Sequence, residues 1–199
     1  MKLNIQHQER YSRGELLLRT FFGLFYIYIP HAFILMFIGF WGAVLQFVAF
    51  WVILFTGQYP ETMFEYQLGL MKWAVRLIAR MCNLSDGYPE FGIISTDEHT
   101  DLVVPYPKKV SRSLTLVRLL LGVFYVAVPH GIILMIRAIF VLILMFCSWW
   151  AVLITTRYPK TMHQWVVGQV RWQFRINLYL MYMTDTYPAF TGDELPDEE

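Results

Sequence analysis

The chain contains one unit twice, and this limits what it can fold into more than anything else in it. Residues 12–91 align with residues 111–190 at a constant offset of 99, without a gap, and 28 of the 80 aligned positions are identical. Repetition at this period means one structural unit built twice. The identities gather in short motifs: Pro30-His31 and Pro129-His130, then Tyr59-Pro60 and Tyr158-Pro159. Trp73 with Arg76 repeats as Trp172 with Arg175, and Asp86-x-Tyr88-Pro89 as Asp185-x-Tyr187-Pro188. The domain division follows: a first repeat at 12–91, a linker at 92–110, a second repeat at 111–190 and an acidic tail at 191–199.

Hydrophobic patterning gives the fold class. Hydrophobic residues make up 57% of the chain and charged residues 16%, against about a quarter charged in ordinary soluble domains. Phe21–Thr56 carries no charge, nor does Ala138–Thr156. Apolar runs of this length predict membrane-embedded helix. The reading is an all-α integral membrane protein, a tandem duplication of a helical hairpin plus an amphipathic helix.

The stretch Leu16–Phe55 would be about 60 Å long as one helix, twice the ~30 Å hydrocarbon thickness. A hairpin resolves this, with helices at 16–37 and 40–56 turning near Gly39–Gly42. The other resolution lays 14–29 at the interface and lets 31–56 cross. Arg137, the only charge between Arg118 and Arg157, favours the hairpin, since a charge is tolerated at the far interface and costly in mid-bilayer. The hairpin also leaves 15 of the 16 Lys and Arg residues on one face. By the positive-inside rule that face is cytoplasmic. A multi-pass inner-membrane protein with both termini inside is expected.

The third helix of each unit, 61–84 and 160–183, is amphipathic. Glu61, Glu65, Gly69, Lys72, Arg76 and Arg80 draw a polar stripe at helical spacing. A helix lying in the headgroup plane fits this pattern, with basic groups toward phosphates and tryptophan toward acyl chains. Lys72, Trp73, Arg76, Arg171, Trp172 and Arg175 are then the lipid or interface anchors, and phospholipids the partners. The alternative is a crossing helix whose stripe lines a bundle interior. The tyrosines of the Tyr-Pro pairs suit an aromatic belt.

These motifs resemble a bacterial membrane-domain family of unknown function, family 4389. Its Pro-His, Gly-Arg-Tyr-Pro, Arg-Trp-x-x-Arg and Asp-x-Tyr-Pro-Pro-Phe elements correspond here to Pro30-His31, Gly57–Pro60, Lys72-Trp73 with Arg76, and Asp86–Phe91. The second copy supplies Pro129-His130, Arg157–Pro159, Arg171-Trp172 with Arg175, and Asp185–Phe190. Gln58, Lys72, Glu90 and Ala189 depart from the pattern. The resemblance implies a small bacterial inner-membrane protein and no particular activity.

Function classes can be narrowed. No nucleophile elbow, Walker loop, HExxH or carboxylate cluster is present, so no enzyme is expected. Cys82 and Cys147 lack metal or disulfide spacing, and the polar N-terminus predicts no cleaved signal peptide. Two histidines at equivalent positions, His31 and His130, have the chemistry to ligate a haem axially or to hydrogen-bond a quinone. The simpler role is structural: each imidazole satisfies backbone groups opened by its proline, or packs on the other repeat. The basic stripe, interleaved with membrane-length apolar runs, does not suit nucleic acid. The leading expectation is an accessory or scaffold subunit of a larger membrane complex. The alternatives are a lipid-binding or membrane-shaping protein, and an electron-transfer or transport subunit.

Overall fold

The structure, a computed structural model, describes residues 1–196. It is mostly helical and two-fold repetitive. Strand β1 (Lys2–Ile5) is followed by a long helix α1 (Arg13–Thr56) and a shorter α2 (Glu61–Met81). Strand β2 (Thr100–Val103) leads into the second long helix α3 (Arg112–Thr155) and the shorter α4 (Lys160–Leu180). Both long helices have the length and apolar composition to cross a membrane.

The expected hairpin is not formed. Residues 39–42 are helical, and α1 runs through them for 44 residues, about 66 Å at 1.5 Å per residue. Glycine is tolerated inside a helix at roughly 1 kcal/mol, and Gly39-Phe40-Trp41-Gly42 contains no proline to stop it. Gly42 instead gives α2 room, for a Cβ there would lie 2.6 Å from Leu70 Cδ1. Arg137, which the repeat offset pairs with Ile38, marks no turn either. It lies along α4, 4.3 Å above the Trp165 ring, with Nη2 donating to the Trp165 carbonyl at 3.2 Å.

Each long helix carries one π-helical segment, at Leu24–Tyr28 and Val123–Ala127, just before Pro30 and Pro129. A proline in a regular helix clashes with the carbonyl four residues back. The Ile29 amide bonds the Leu24 carbonyl, and the Val128 amide that of Val123; this five-residue step widens the turn. The first long helix ends at Gly57, which holds φ 74° in the left-handed region where glycine pays no Cβ penalty. Pro60 then starts α2, which runs back along α1: Gln67 meets Gly42, and Trp73 meets His31.

The repeats interlock. Trp149 donates to Thr20 at 2.9 Å, Gln46 to the Met181 carbonyl at 3.0 Å, and Arg13 to the Ile154 carbonyl at 2.6 Å. The start of each long helix therefore lies by the end of the other. Strands β1 and β2 pair antiparallel, joining the N-terminus to the linker. Leu3, Ile5, Leu102 and Val104 share a core with Val75 of α2 and Val170 of α4.

The result is three layers. On the long helices Leu16, Arg19, Gly23, Ile27 and His31 are buried at a spacing of three to four, and the row resumes at Gly42, Ala49 and Ile53. The opposite face leaves Phe21, Phe25, Phe33, Phe37, Phe40, Phe47, Trp51 and Phe55 exposed. Helices α2 and α4 form the middle layer. The sheet, the linker and residues 191–195 cover their outer side.

That close cover depends on Gly69 and Gly168. A Cβ on Gly69 would lie 2.7 Å from the Ile93 carbonyl oxygen, whereas one on Gly39 would meet nothing within 4 Å. Gly69→Ala is expected to destabilise the protein by about 1–3 kcal/mol through overpacking. Gly39→Ala should stabilise it by up to about 1 kcal/mol. Thermal unfolding in detergent checks both; equal shifts would disprove the close packing at Gly69.

Candidate functional site

The repeated motifs converge on two equivalent clusters, each where a proline interrupts a long helix. Pro30 has no amide to offer the Tyr26 carbonyl four residues before it. The Tyr88 hydroxyl donates to that carbonyl at 3.0 Å. In the second copy Tyr187 donates to the Tyr125 carbonyl at 2.9 Å, beneath Pro129. The expectation that histidine repairs the proline break is thus corrected. Tyrosine does so, from the Asp-x-Tyr-Pro motif.

The histidines sit one layer deeper, with no exposed surface. Trp73 Nε1 donates to His31 Nδ1 at 2.7 Å, and Trp172 Nε1 to His130 Nδ1 at 2.9 Å. Indole N–H is only a donor, so Nδ1 must accept and the neutral ring carries its proton on Nε2. His130 Nε2 then donates to Tyr187 Oη, 3.2 Å away. This makes a directed chain from Trp172 through His130 and Tyr187 to the Tyr125 carbonyl. Phe91 stacks on His31 at 3.9 Å between centroids and 5° between planes, and Phe190 on His130 at 3.8 Å and 6°. Axial haem ligation requires an imidazole lone pair. The only one here is engaged by tryptophan, so these histidines do not fit that role.

The aspartate at the head of the motif ties the loop to the start of the long helix. Asp86 accepts from the Ser12 amide at 2.6 Å and from Arg19 at 2.8 Å; Asp185 accepts from the Ser111 amide at 2.8 Å and from Arg118 at 2.5 Å. Ser12 and Ser111 cap their helices in turn through the Glu15 and Leu114 amides. Arg19 and Arg118, buried among apolar neighbours, are thereby neutralised, as a buried charge requires. Pro89 and Pro188, which follow the tyrosines, are themselves buried.

The residues expected to anchor lipid lie inside the protein. Trp73, Arg76, Trp172, Arg171 and Arg175 are all buried, and only Lys72 of the six is partly open. Arg76 donates to the Ser95 carbonyl at 2.5 Å and to that of Gly92. Arg175 does the same to Thr191 at 2.9 Å and Asp193 at 2.5 Å. Arg171 bonds the Gly192 and Leu3 carbonyls and the Glu194 carboxylate. Sequence spacing located the polar stripe correctly but not what covers it: backbone carbonyls of the linker and tail stand where phosphates were expected.

The Tyr-Pro pairs before α2 and α4 are likewise interior and form no aromatic belt. Tyr59 donates to Gln46 at 2.8 Å and has no exposed surface; Tyr158 is 2% exposed. His163 was not singled out in the sequence, because it breaks the repeat where the first copy has Phe64. It packs on the His7 ring at 5.0 Å. Burial first, and His7 second, push its pKa down to about 4. Cys82 and Cys147 are free thiols.

If Tyr88 serves the proline break, the two residues are energetically coupled. Tyr88→Phe alone should cost about 1–3 kcal/mol by leaving a carbonyl unsatisfied. In a Pro30→Ala background, where the amide is restored, the same change should cost less than half as much. Equal costs in the two backgrounds, measured by denaturant unfolding, would remove the tyrosine from this role.

No curated protein and no solved structure is similar to the chain. The profile of one family matches it twice, over residues 14–92 and again over 112–192, and each match holds the proline, histidine, tryptophan, aspartate and tyrosine of one cluster. Together the matches take in most of the chain, and the chain belongs to the family described as a domain of unknown function, DUF4389, in tandem.

Proposed function

We propose that the protein is a monotopic membrane protein whose two long helices lie side by side in the plane of one leaflet and wedge it apart. The observation that carries this is the apolar face of the long helices. It is exposed from Leu18 to Phe55 in α1 and from Leu116 to Ile154 in α3, opposite the polar layers. Such a face is about 55 Å long, close to twice the ~30 Å of a bilayer's hydrocarbon. A crossing orientation would need a tilt far beyond the usual ~20°.

The distribution of charge argues the same way. Ionised groups are strung along the whole of α2 and its cover, from Glu61 through Lys72 and Arg80 to the Arg80–Asp97 pair at 2.6 Å. If α1 crossed the bilayer, α2 beside it would carry these groups through the hydrocarbon, at several kcal/mol each. Lying flat, the long helices meet acyl chains while the charges meet water. Exposed Arg13, Arg157 and Lys160 near one end, and Lys108, Lys109 and Arg112 near the other, suit anionic headgroups at about 1 kcal/mol per residue. Two helices about 10 Å in diameter expand one leaflet and not the other, which is the physical basis of curvature.

The test is reconstitution into liposomes with single cysteines and a membrane-impermeant maleimide. Positions 9 and 98 in the cap should label from one side only, and positions 40 and 140 from neither side. Phe40→Glu with Phe140→Glu should release the protein from floated vesicles. Labelling of position 40 or 140 from the opposite side would establish a crossing topology and overturn the proposal. A stoichiometric membrane partner in gentle detergent, with no change in vesicle size on reconstitution, would favour the accessory-subunit role instead.

A further inference from the structure

Comparing the two copies exposes a groove whose charge is answered in one and not in the other. In the second repeat Gly192 lies against Gly168, and two residues later Glu194 pairs with Arg171 at 2.6 Å. In the first repeat Ile93 lies against Gly69 in the same way. The repeat offset then puts Lys72 in place of Arg171 and Ser95 in place of Glu194. The basic group is kept and its carboxylate is gone.

Both copies hold a groove at this place, about 460 Å³ beside Arg171 and Glu194 and about 620 Å³ between α2 and the linker where the carboxylate is lost, within the size range of small-molecule sites. Lys72 lines the larger groove, half-buried, with no hydrogen bond or ion pair among the described residues. Arg76 forms part of the wall, is 2% exposed, and keeps an Nε without a partner among the described residues. Glu65 and Asp101 also line the groove, each without an ion pair among the described residues, and Leu68 and Ile93 give it apolar wall.

We infer that this groove binds a small zwitterion of the α-amino-acid type. Its carboxylate takes the place on Lys72 that Glu194 takes on Arg171. Its ammonium group faces Glu65 and Asp101, and its side chain lies on the apolar wall. A simple anion would meet two uncompensated carboxylates, and a simple cation would leave Lys72 unanswered. Arg76 is already held by the Gly92 and Ser95 carbonyls, so a ligand bearing both charges answers Lys72, Glu65 and Asp101 together. The internal Glu194 contact supplies the template for the carboxylate half. The inference is independent of how the protein sits in a membrane.

Titration calorimetry on the full chain in detergent or nanodiscs tests it with three probes. L-leucine should bind, whereas isovalerate, lacking the ammonium, and isoamylamine, lacking the carboxylate, should each bind at least tenfold more weakly. Lys72→Gln should weaken L-leucine binding at least tenfold, and Lys72→Arg should retain it. Ser95→Glu restores the second copy's own carboxylate; it should abolish binding and raise the melting temperature. If Lys72→Gln does not fold, Ser95→Glu decides alone. No L-leucine binding by the wild type, or binding indifferent to Ser95→Glu, overturns the inference.

Discussion

Separation of polarity across the thickness of the molecule is the constraint on which the other features depend. The long helices turn an unbroken apolar face outward, so every backbone irregularity in them must be repaired from the protein side. The irregularity is the proline that precedes each histidine, and the repair is a tyrosine hydroxyl. Tyr88 can reach the Tyr26 carbonyl only if its loop is held in place. Asp86 on Arg19 and the Ser12 amide secures one end of that loop, and Phe91 on His31 the other. The motif is a brace: it lets a long helix carry a proline and keep the carbonyl beneath it paired.

The second motif, tryptophan and arginine on α2 and α4, joins the layers. Trp73 points down to His31 in the long helix, while Arg76 points up to the carbonyls of Gly92 and Ser95. The same helix therefore binds an apolar layer below and a polar cover above. Residues three apart on a helix do not share one direction fully, and this pair uses the difference. The cover holds Arg76 and Arg175 by backbone carbonyls, which any residue supplies. The linker and the tail can thus differ in sequence yet do the same work, as Gly92 and Thr191 do.

Much of this was legible in the sequence. The constant offset of 99 gives the two-fold repeat; the uncharged runs give the apolar helices, and the three-to-four spacing gives the amphipathic ones. Other features were not legible, for physical reasons. Gly39–Gly42 reads as a turn because two glycines flank two aromatics, but close packing of Leu70 on Gly42 rewards a continuous helix there. Arg137 reads as an interface marker because a lone charge must find water or a partner, and it finds the Trp165 ring and carbonyl instead. The basic stripe reads as a lipid surface because its cover lies in distant segments, 92–97 and 191–194, whose carbonyls leave no trace in composition. The Pro-His pair drew attention to histidine, while the repairing hydroxyl lies 62 residues from the carbonyl it bonds in each copy.

The account's central claim is that the long helices lie along the membrane and do not cross it. Polarised infrared spectroscopy of the protein in oriented bilayers measures this directly, because the amide I dichroism reports the average angle of the helix axes to the bilayer normal. The four helices run alongside one another, so one angle describes them well. An average near 90° is the expected result. An average near the ~20° typical of membrane-crossing helices would contradict the account.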